Sequence, residues 1–106
     1  MSDDEMTPDQ RLQRLARASL AGYKSSTVSL RRLIDDLDAV WNNLPSTDWS
    51  EEVRGHWWTL EQVYAVALDR GELEALPADA KADIEEAVRA LEALLDSWPL
   101  RPDTVA

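Results

Sequence analysis

The side chains in this chain that could carry out chemistry are a single histidine and many scattered carboxylates. His56 follows Glu52 by four residues, so on a helix the carboxylate would lie one turn from the imidazole and could orient it for acid–base catalysis. Catalysis would also need a nucleophile or a metal. The sequence contains no cysteine and no Glu-x-x-His motif of the kind that di-metal helical bundles use. We therefore interpret His56 as a packed or half-exposed residue, and we expect no metal site.

The carboxylates lie between aliphatic positions along the predicted helices. A glycosidase-type site requires two carboxylates that face each other across a cleft, whereas these occupy polar helix faces, which are normally solvated. The three glycines are far apart, so the sequence offers no phosphate-binding loop. The sequence thus predicts a protein that is not an enzyme and needs no cofactor. The carboxylates concerned are Asp35, Asp36, Asp38, Glu61, Asp69, Glu85 and Glu86.

The charge of the chain is strongly negative, with a formal net charge of -10 at pH 7. Acids and bases balance over residues 1–24, so the excess negative charge lies in the rest of the chain. Such a field repels nucleic acid and anionic membranes and attracts basic partners, or it serves only to keep the protein soluble. The basic residues of the first helix are expected to pair with the acidic helices of the same chain rather than with DNA. They are Arg11, Arg14, Arg17 and Lys24.

Apolar residues recur at helical spacing in four segments, and no segment alternates in the manner of a strand. A chain of 106 residues suits a single domain, and short connections make neighbouring helices antiparallel. No apolar run is long enough to span a membrane, and the lack of cysteine fits a reducing cytosol. We predict an all-α, single-domain antiparallel four-helix bundle with helices at about 8–23, 27–43, 48–70 and 78–97, and disordered tails at about 1–6 and 99–106.

Local signals mark the ends of the predicted helices. Thr7 and Gln10 form a capping box at the first helix, and Ser50 is a candidate N-cap of the third. Gly71 suits the left-handed residue that ends the third helix. Leu15 falls on the apolar face of the first helix, which predicts that it lies in the core.

The third helix carries more apolar residues than one buried face requires. On a helical wheel its core face is centred between Leu60 and Trp57 and includes Leu68, whereas Trp58 and Val66 point to the opposite side. The helix could be central and contact neighbours on both sides. Alternatively, Trp58 is an exposed anchor for a partner, since aromatic residues dominate interface hot spots.

A longer pattern joins the second and third helices. It consists of Leu33, Ile34, Asp35 and Leu37, followed by Trp57, Leu60, Glu61, Tyr64, Ala65, Leu68, Asp69 and Gly71. Over about residues 20–95 the chain resembles small α-helical bacterial immunity proteins of contact-dependent growth inhibition and related polymorphic toxin systems.

The resemblance implies binding without catalysis. Such a protein would lie in the cytoplasm and occlude the C-terminal toxin domain of its own system, which is often a basic nuclease. Trp58 would anchor this partner, and the carboxylates that would pair with its Lys and Arg residues are Asp35, Asp38, Glu51, Glu61 and Asp69. Nucleic acid and membranes are not expected as partners.

Two other interpretations remain open. The chain could be a homo-oligomeric scaffold or adaptor, for example a homodimer, in which Trp58 and Val66 form the contact between copies. It could also be a small metal-binding or enzymatic bundle that uses His56 and carboxylates.

Overall fold

The computed structural model describes residues 7–98, and all regular structure in this range is α-helical. The predicted four-helix fold is confirmed. The two predicted disordered tails lie outside the described residues. The helices are α1 (Pro8–Lys24), α2 (Leu30–Trp41), α3 (Asp48–Arg70) and α4 (Ala78–Asp96).

The four helices are arranged at the corners of a square. α1 packs against α2 and α4, and α3 packs against the same two helices, so α1 and α3 lie on a diagonal. The most extensive contact is between α3 and α4, and the least extensive is between α1 and α4. This arrangement leaves one long side of α3 facing away from the other three helices.

The core is an aliphatic cluster to which all four helices contribute. Each fully buried aliphatic side chain contributes about 1.5–3 kcal/mol of burial free energy, so this cluster is the main source of stability. Its largest members, each less than 2 % exposed, are Leu20, Leu33, Leu37, Val40, Val53, Leu60, Ile84, Leu91 and Leu95.

The capping box predicted at the start of α1 is confirmed. The Thr7 hydroxyl accepts a hydrogen bond from the Gln10 amide at 3.1 Å, and the Gln10 side chain accepts one from the Thr7 amide at 3.0 Å. Gly71 ends α3 in the left-handed conformation, with φ of 71°, as predicted.

The predicted cap of α3 is wrong, because Thr47 rather than Ser50 is the N-cap. The Ser50 amide donates to the Thr47 hydroxyl at 3.1 Å, and the Ser50 hydroxyl accepts from the Thr47 amide at 2.8 Å. Ser50 therefore completes a capping box as its third helical residue. It is also buried, and its hydroxyl contacts the Pro45 carbonyl at 2.9 Å.

α2 begins at Leu30, three residues later than predicted, because the preceding residues form a tight turn around Gly22. The Gly22 carbonyl accepts hydrogen bonds from the amides of Thr27 at 2.8 Å and Val28 at 3.0 Å. Ser29 is extended and caps the new helix. Residues 27–29, which the sequence assigned to α2, therefore belong to the turn.

Two residues that the sequence places in the core are exposed. Leu68 is 57 % exposed because it lies one turn beyond Tyr64, the residue that faces Arg31 near the start of α2, and the shortened α2 does not reach far enough to cover it. Leu15 is 40 % exposed on α1.

Two bases of α1, Arg17 and Lys24, pair with acids of α4, as expected from the charge distribution. Arg17 contacts Asp96 at 2.9 Å, and Lys24 contacts Glu92 at 3.0 Å. Both pairs are largely exposed, so each contributes less than about 1 kcal/mol. They matter more for the surface charge than for stability, because they neutralise charge on the α1–α4 side of the bundle.

The same substitution at two glycines should have opposite effects on stability. A Cβ added at Gly22 would lie 2.4 Å from Cγ2 of Val28, whereas one added at Gly55 would meet nothing within 4 Å. Gly22→Ala should lower the free energy of unfolding by about 1–3 kcal/mol through overpacking. Gly55→Ala should raise it by up to about 1 kcal/mol through helix propensity.

Urea denaturation of the two variants and the wild type measures both effects. Equal changes in the two variants would contradict the tight turn around Gly22.

Candidate functional site

Two hydrogen bonds fix how α3 lies against α2. The Trp57 indole Nε1–H donates to the Ile34 carbonyl at 3.0 Å, and Nη2 of Arg54 donates to the Trp41 carbonyl at 3.1 Å. Trp57 is therefore turned toward α2. The next residue, Trp58, is rotated about 100° further around the helix and is 53 % exposed.

A third contact extends this register toward the start of α2. The Arg31 guanidinium lies over the Tyr64 ring, 5.7 Å from its centroid. Arg31 also pairs with Asp35 at 3.2 Å, and this pairing together with the Tyr64 ring raises the pKa of Arg31. Arg31 thus stays charged and holds Asp35 in an internal ion pair.

The solvent-facing stripe along α3, which we call the outer face, consists of residues separated alternately by four and three positions. This spacing places them in one line along the helix, and all six are exposed. Val66 and Leu68, which are 45 % and 57 % exposed, border the stripe on either side. The outer face is formed by Glu51, Gly55, Trp58, Gln62, Ala65 and Asp69.

The exposure of Trp58 separates the two explanations of the apolar run in α3. A central helix with neighbours on both sides would bury Trp58, and the structure contradicts this. Because Trp58 is the only aromatic residue among the exposed large hydrophobic ones in the described part of the chain, it forms the chief apolar feature of the outer face.

The predicted carboxylates differ in whether another side chain of the protein pairs with them. Asp35 is paired with Arg31, and Glu51 accepts a hydrogen bond from the Ser46 hydroxyl at 2.9 Å. Asp38 and Glu61 are half-buried. Over residues 7–98 the structure gives neither carboxylate an ion pair or hydrogen bond.

The structure groups some of the predicted residues and separates others. Asp38 lies on α2 between Ile34 and Trp41, whose carbonyls accept from Trp57 and Arg54, so it is level with residues 54–57 of α3. Glu61 follows Trp58 by one turn. Glu51 and Asp69 lie on the same outer face, but about 10 Å and 16 Å from Trp58 along the helix axis. Trp58 and Glu61 therefore form the centre of the candidate surface, and Asp38 lies on the neighbouring helix.

The sequence interpretation missed Arg54, a half-buried cation in the seam beside this centre. Its bond to the Trp41 carbonyl places the guanidinium at the C-terminal end of α2, where the helix dipole is negative. Nε of Arg54 is buried and has no acceptor among the described residues. Charge–helix-end interactions depend on the packed helices, so the linear sequence carries no signal for this role.

His56 is half-buried at the edge of the α3 core face. Within residues 7–98 it has no hydrogen bond or ion pair, and this part of the chain contains no group of three or more His, Asp or Glu residues arranged to hold a metal ion. Within the described residues, the structure therefore supplies none of the additional side chains that an acid–base or metal site at His56 would need.

A second feature that the sequence did not indicate is an open groove of about 790 Å³ between α1 and α4. We call it the α1–α4 groove. It lies where the contact between two helices is least extensive, and turns 25–29 and 71–77 complete it. Because these turns bring together side chains from distant parts of the chain, helical periodicity cannot reveal the groove. Its apolar lining consists of Tyr23, Val28, Leu76, Ile84 and Val88.

The Tyr23 phenol titrates abnormally in this groove. Burial, and to a lesser degree the negative charge of Glu85, raise the pKa of Tyr23 above its ordinary value of 10.0. Both causes disfavour the phenolate, which is the charged form.

No protein-family model, curated protein or solved structure matches this chain. The described helices include none that is both long and apolar enough to cross a membrane. The fold class and the candidate surface therefore rest on the geometry given above.

The two neighbouring tryptophans should contribute differently to stability. Trp57→Phe should lower the free energy of unfolding by about 1 kcal/mol, because it removes the hydrogen bond to the Ile34 carbonyl. Trp58→Ala should change it by less than about 0.5 kcal/mol, as is usual at exposed positions. Chemical denaturation followed by far-UV circular dichroism measures both, and a larger loss for Trp58→Ala would show that Trp58 is packed within the chain.

Stability should fall with rising pH through the titration of Tyr23. The folded chain retains the phenolic proton at a pH where the unfolded chain has lost it, so this contribution is complete below pH 10 and decreases as the pH rises through the higher folded pKa. Tyr23→Phe should remove this part of the pH dependence. Unfolding free energies at pH about 9 and about 11, compared between the two proteins, test it; identical alkaline losses would contradict it.

Proposed function

We propose that this chain is an immunity protein that binds the toxin domain of its own polymorphic toxin system and neutralises it by occlusion. The observation that carries the proposal is Trp58, which is more than half exposed on the outer face of α3, with the unpaired carboxylate of Glu61 one turn further along the helix and that of Asp38 on the neighbouring α2. The protein would act in the bacterial cytoplasm and would not need a cofactor.

The apolar part of the surface can supply binding free energy. A tryptophan buries about 150–250 Å² when covered, and each Å² of apolar area contributes about 25 cal/mol. Val66 and Leu68, about 12 Å and 15 Å from Trp58 along the helix axis, add further exposed apolar area on the same helix. An exposed aromatic residue with a polar rim has the form of an interface hot spot.

The charged part of the surface favours a basic partner. Asp38 and Glu61 lack internal counter-ions among the described residues, and the chain has a net charge of -10. A nuclease that grips phosphates presents Lys and Arg, so opposite fields would accelerate the encounter of the two proteins. Asp35 should contribute less than Asp38, because Arg31 already neutralises it.

Gly55 supports a close approach of this partner to α3. Glycine inside a helix costs about 0.8–1 kcal/mol relative to alanine, and nothing within this chain lies where its Cβ would be. Internal packing therefore does not explain the glycine. A partner backbone that approaches one turn before Trp58 would explain it.

The proposal requires a gene for a large secreted toxin immediately upstream, and the decisive experiment is co-expression of this chain with the C-terminal domain of that gene's product. Wild type should restore growth and bind that domain. Trp58→Ala and Glu61→Lys should each weaken binding at least about 30-fold, which corresponds to a hot-spot loss of 2 kcal/mol. Matched controls are Leu15→Ala, an exposed apolar residue on α1, and Glu86→Lys, an exposed acid on α4; both should bind as wild type.

Two further comparisons sharpen the test. Asp38→Asn should weaken binding more than Asp35→Asn, and Gly55→Ala should weaken binding although the fold becomes more stable. Failure of wild type to protect, or unchanged affinity in both Trp58→Ala and Glu61→Lys, would refute the proposal. A dimer of the chain alone that dissociates on Trp58→Ala would instead assign the outer face to self-association.

A further inference from the structure

The α1–α4 groove has the size and lining of a small-molecule site. Its volume of about 790 Å³ lies within the range of about 300–1,000 Å³ that is usual for such sites. α1 and α4 line it, whereas the outer face belongs to α3 at the corner diagonal to α1. The groove is therefore separate from the proposed protein-binding surface.

The floor of the groove is apolar and firmly held. Ile84 and Val88 are 2 % and 5 % exposed, so they belong to the core, and the accessible apolar surface comes from the half-buried Tyr23, Val28 and Leu76. Val28 is held over the groove by its hydrogen bond to the Gly22 carbonyl. One end is fixed by Lys24, whose Nζ contacts the two carboxylate oxygens of Glu92 at 3.0 and 3.4 Å.

The charges that remain on the rim are mainly positive. Lys81 and Arg89 line the groove and have no ion pair within residues 7–98, while Glu85 between them is the remaining acid once Lys24 and Glu92 pair with each other. Ser29, the N-cap of α2, also lines the groove. The first turn of α2 contains no acidic residue, so its positive dipole end is not compensated there.

The two unpaired cations of α4 lie at different heights along the groove. Lys81 and Arg89 are eight residues apart, which is about 12 Å along a helix, and Ile84 and Val88 lie on the same face between them. The Arg89 guanidinium offers the forked geometry that binds a carboxylate with two hydrogen bonds.

From these observations we infer that the α1–α4 groove binds a small amphipathic molecule with one carboxylate, which pairs with Arg89, and an aliphatic body, which lies against Tyr23, Val28 and Leu76. The local charge decides the sign of the ligand. A cationic amphiphile would meet two cations and one free acid, even though the chain as a whole is negative.

Isothermal titration calorimetry of the full chain with decanoate tests this inference. Decanoate should bind, and Arg89→Gln should weaken binding about tenfold, because a charge-assisted pair contributes about 1.5 kcal/mol or more. Arg70→Gln is the matched control, since Arg70 is an exposed arginine beside a shallow groove on another side of the bundle; it should leave the affinity unchanged. Decylamine, with the same aliphatic chain and the opposite charge, should bind at least tenfold more weakly than decanoate.

Three results would overturn the inference: no heat of binding for decanoate, equal affinity of wild type and Arg89→Gln, or equal affinity for decanoate and decylamine. Amide and methyl NMR shifts in the presence of decanoate should be largest at Val28 and Leu76, and shifts confined to α3 would place the ligand elsewhere. Neither readout depends on a toxin partner, so this inference and the proposed function can fail independently.

Discussion

The hydrogen bond from the Trp57 indole to the Ile34 carbonyl sets the rotation of α3 about its own axis. It turns one of two adjacent tryptophans toward α2 and thereby commits the other to solvent. A different rotation would turn Trp58 toward a neighbouring helix. The bond also satisfies an indole N–H that would otherwise be costly to bury. The position of the candidate surface thus follows from a core contact rather than from any property of the surface residues themselves.

The bundle separates its charges by helix. Cations of α1 lie against anions of α4, where Arg17 and Lys24 form two exposed ion pairs. On α2 the two arginines are used locally, because Arg31 and Arg32 pair with Asp35 and Asp36 one turn further on. Arg54 lies near Trp58 but is bound to the Trp41 carbonyl, and it forms no ion pair with Asp38 or Glu61 among the described residues. The negative charge of that face therefore depends on the ion pairs that the bases form in other parts of the bundle.

Helical periodicity was sufficient for the fold, because each helix buries one continuous apolar stripe and the connections are short. It predicted the bounds of α3 and α4 closely and failed by three residues at α2, where hydrogen bonds to the Gly22 carbonyl form a turn that periodicity does not encode. The same wheel placed Trp58 outward correctly and Leu68 inward wrongly, since burial of Leu68 depends on where the neighbouring helix begins. Which carboxylates are free, the role of Arg54 and the α1–α4 groove depend on contacts between helices. The resemblance to immunity proteins stays a prediction, because no family or structure matches the chain.

Gly55 also bears on how this sequence can change over generations. Natural proteins tolerate suboptimal residues as long as stability remains above a threshold, and an open helix position such as this one is among the easiest to improve. If drift and selection for folding were the only forces, alanine or another strong helix former would accumulate here. Persistence of glycine in descendants of this sequence would therefore record a constraint imposed from outside the fold. Its loss would identify lineages in which that constraint has been released.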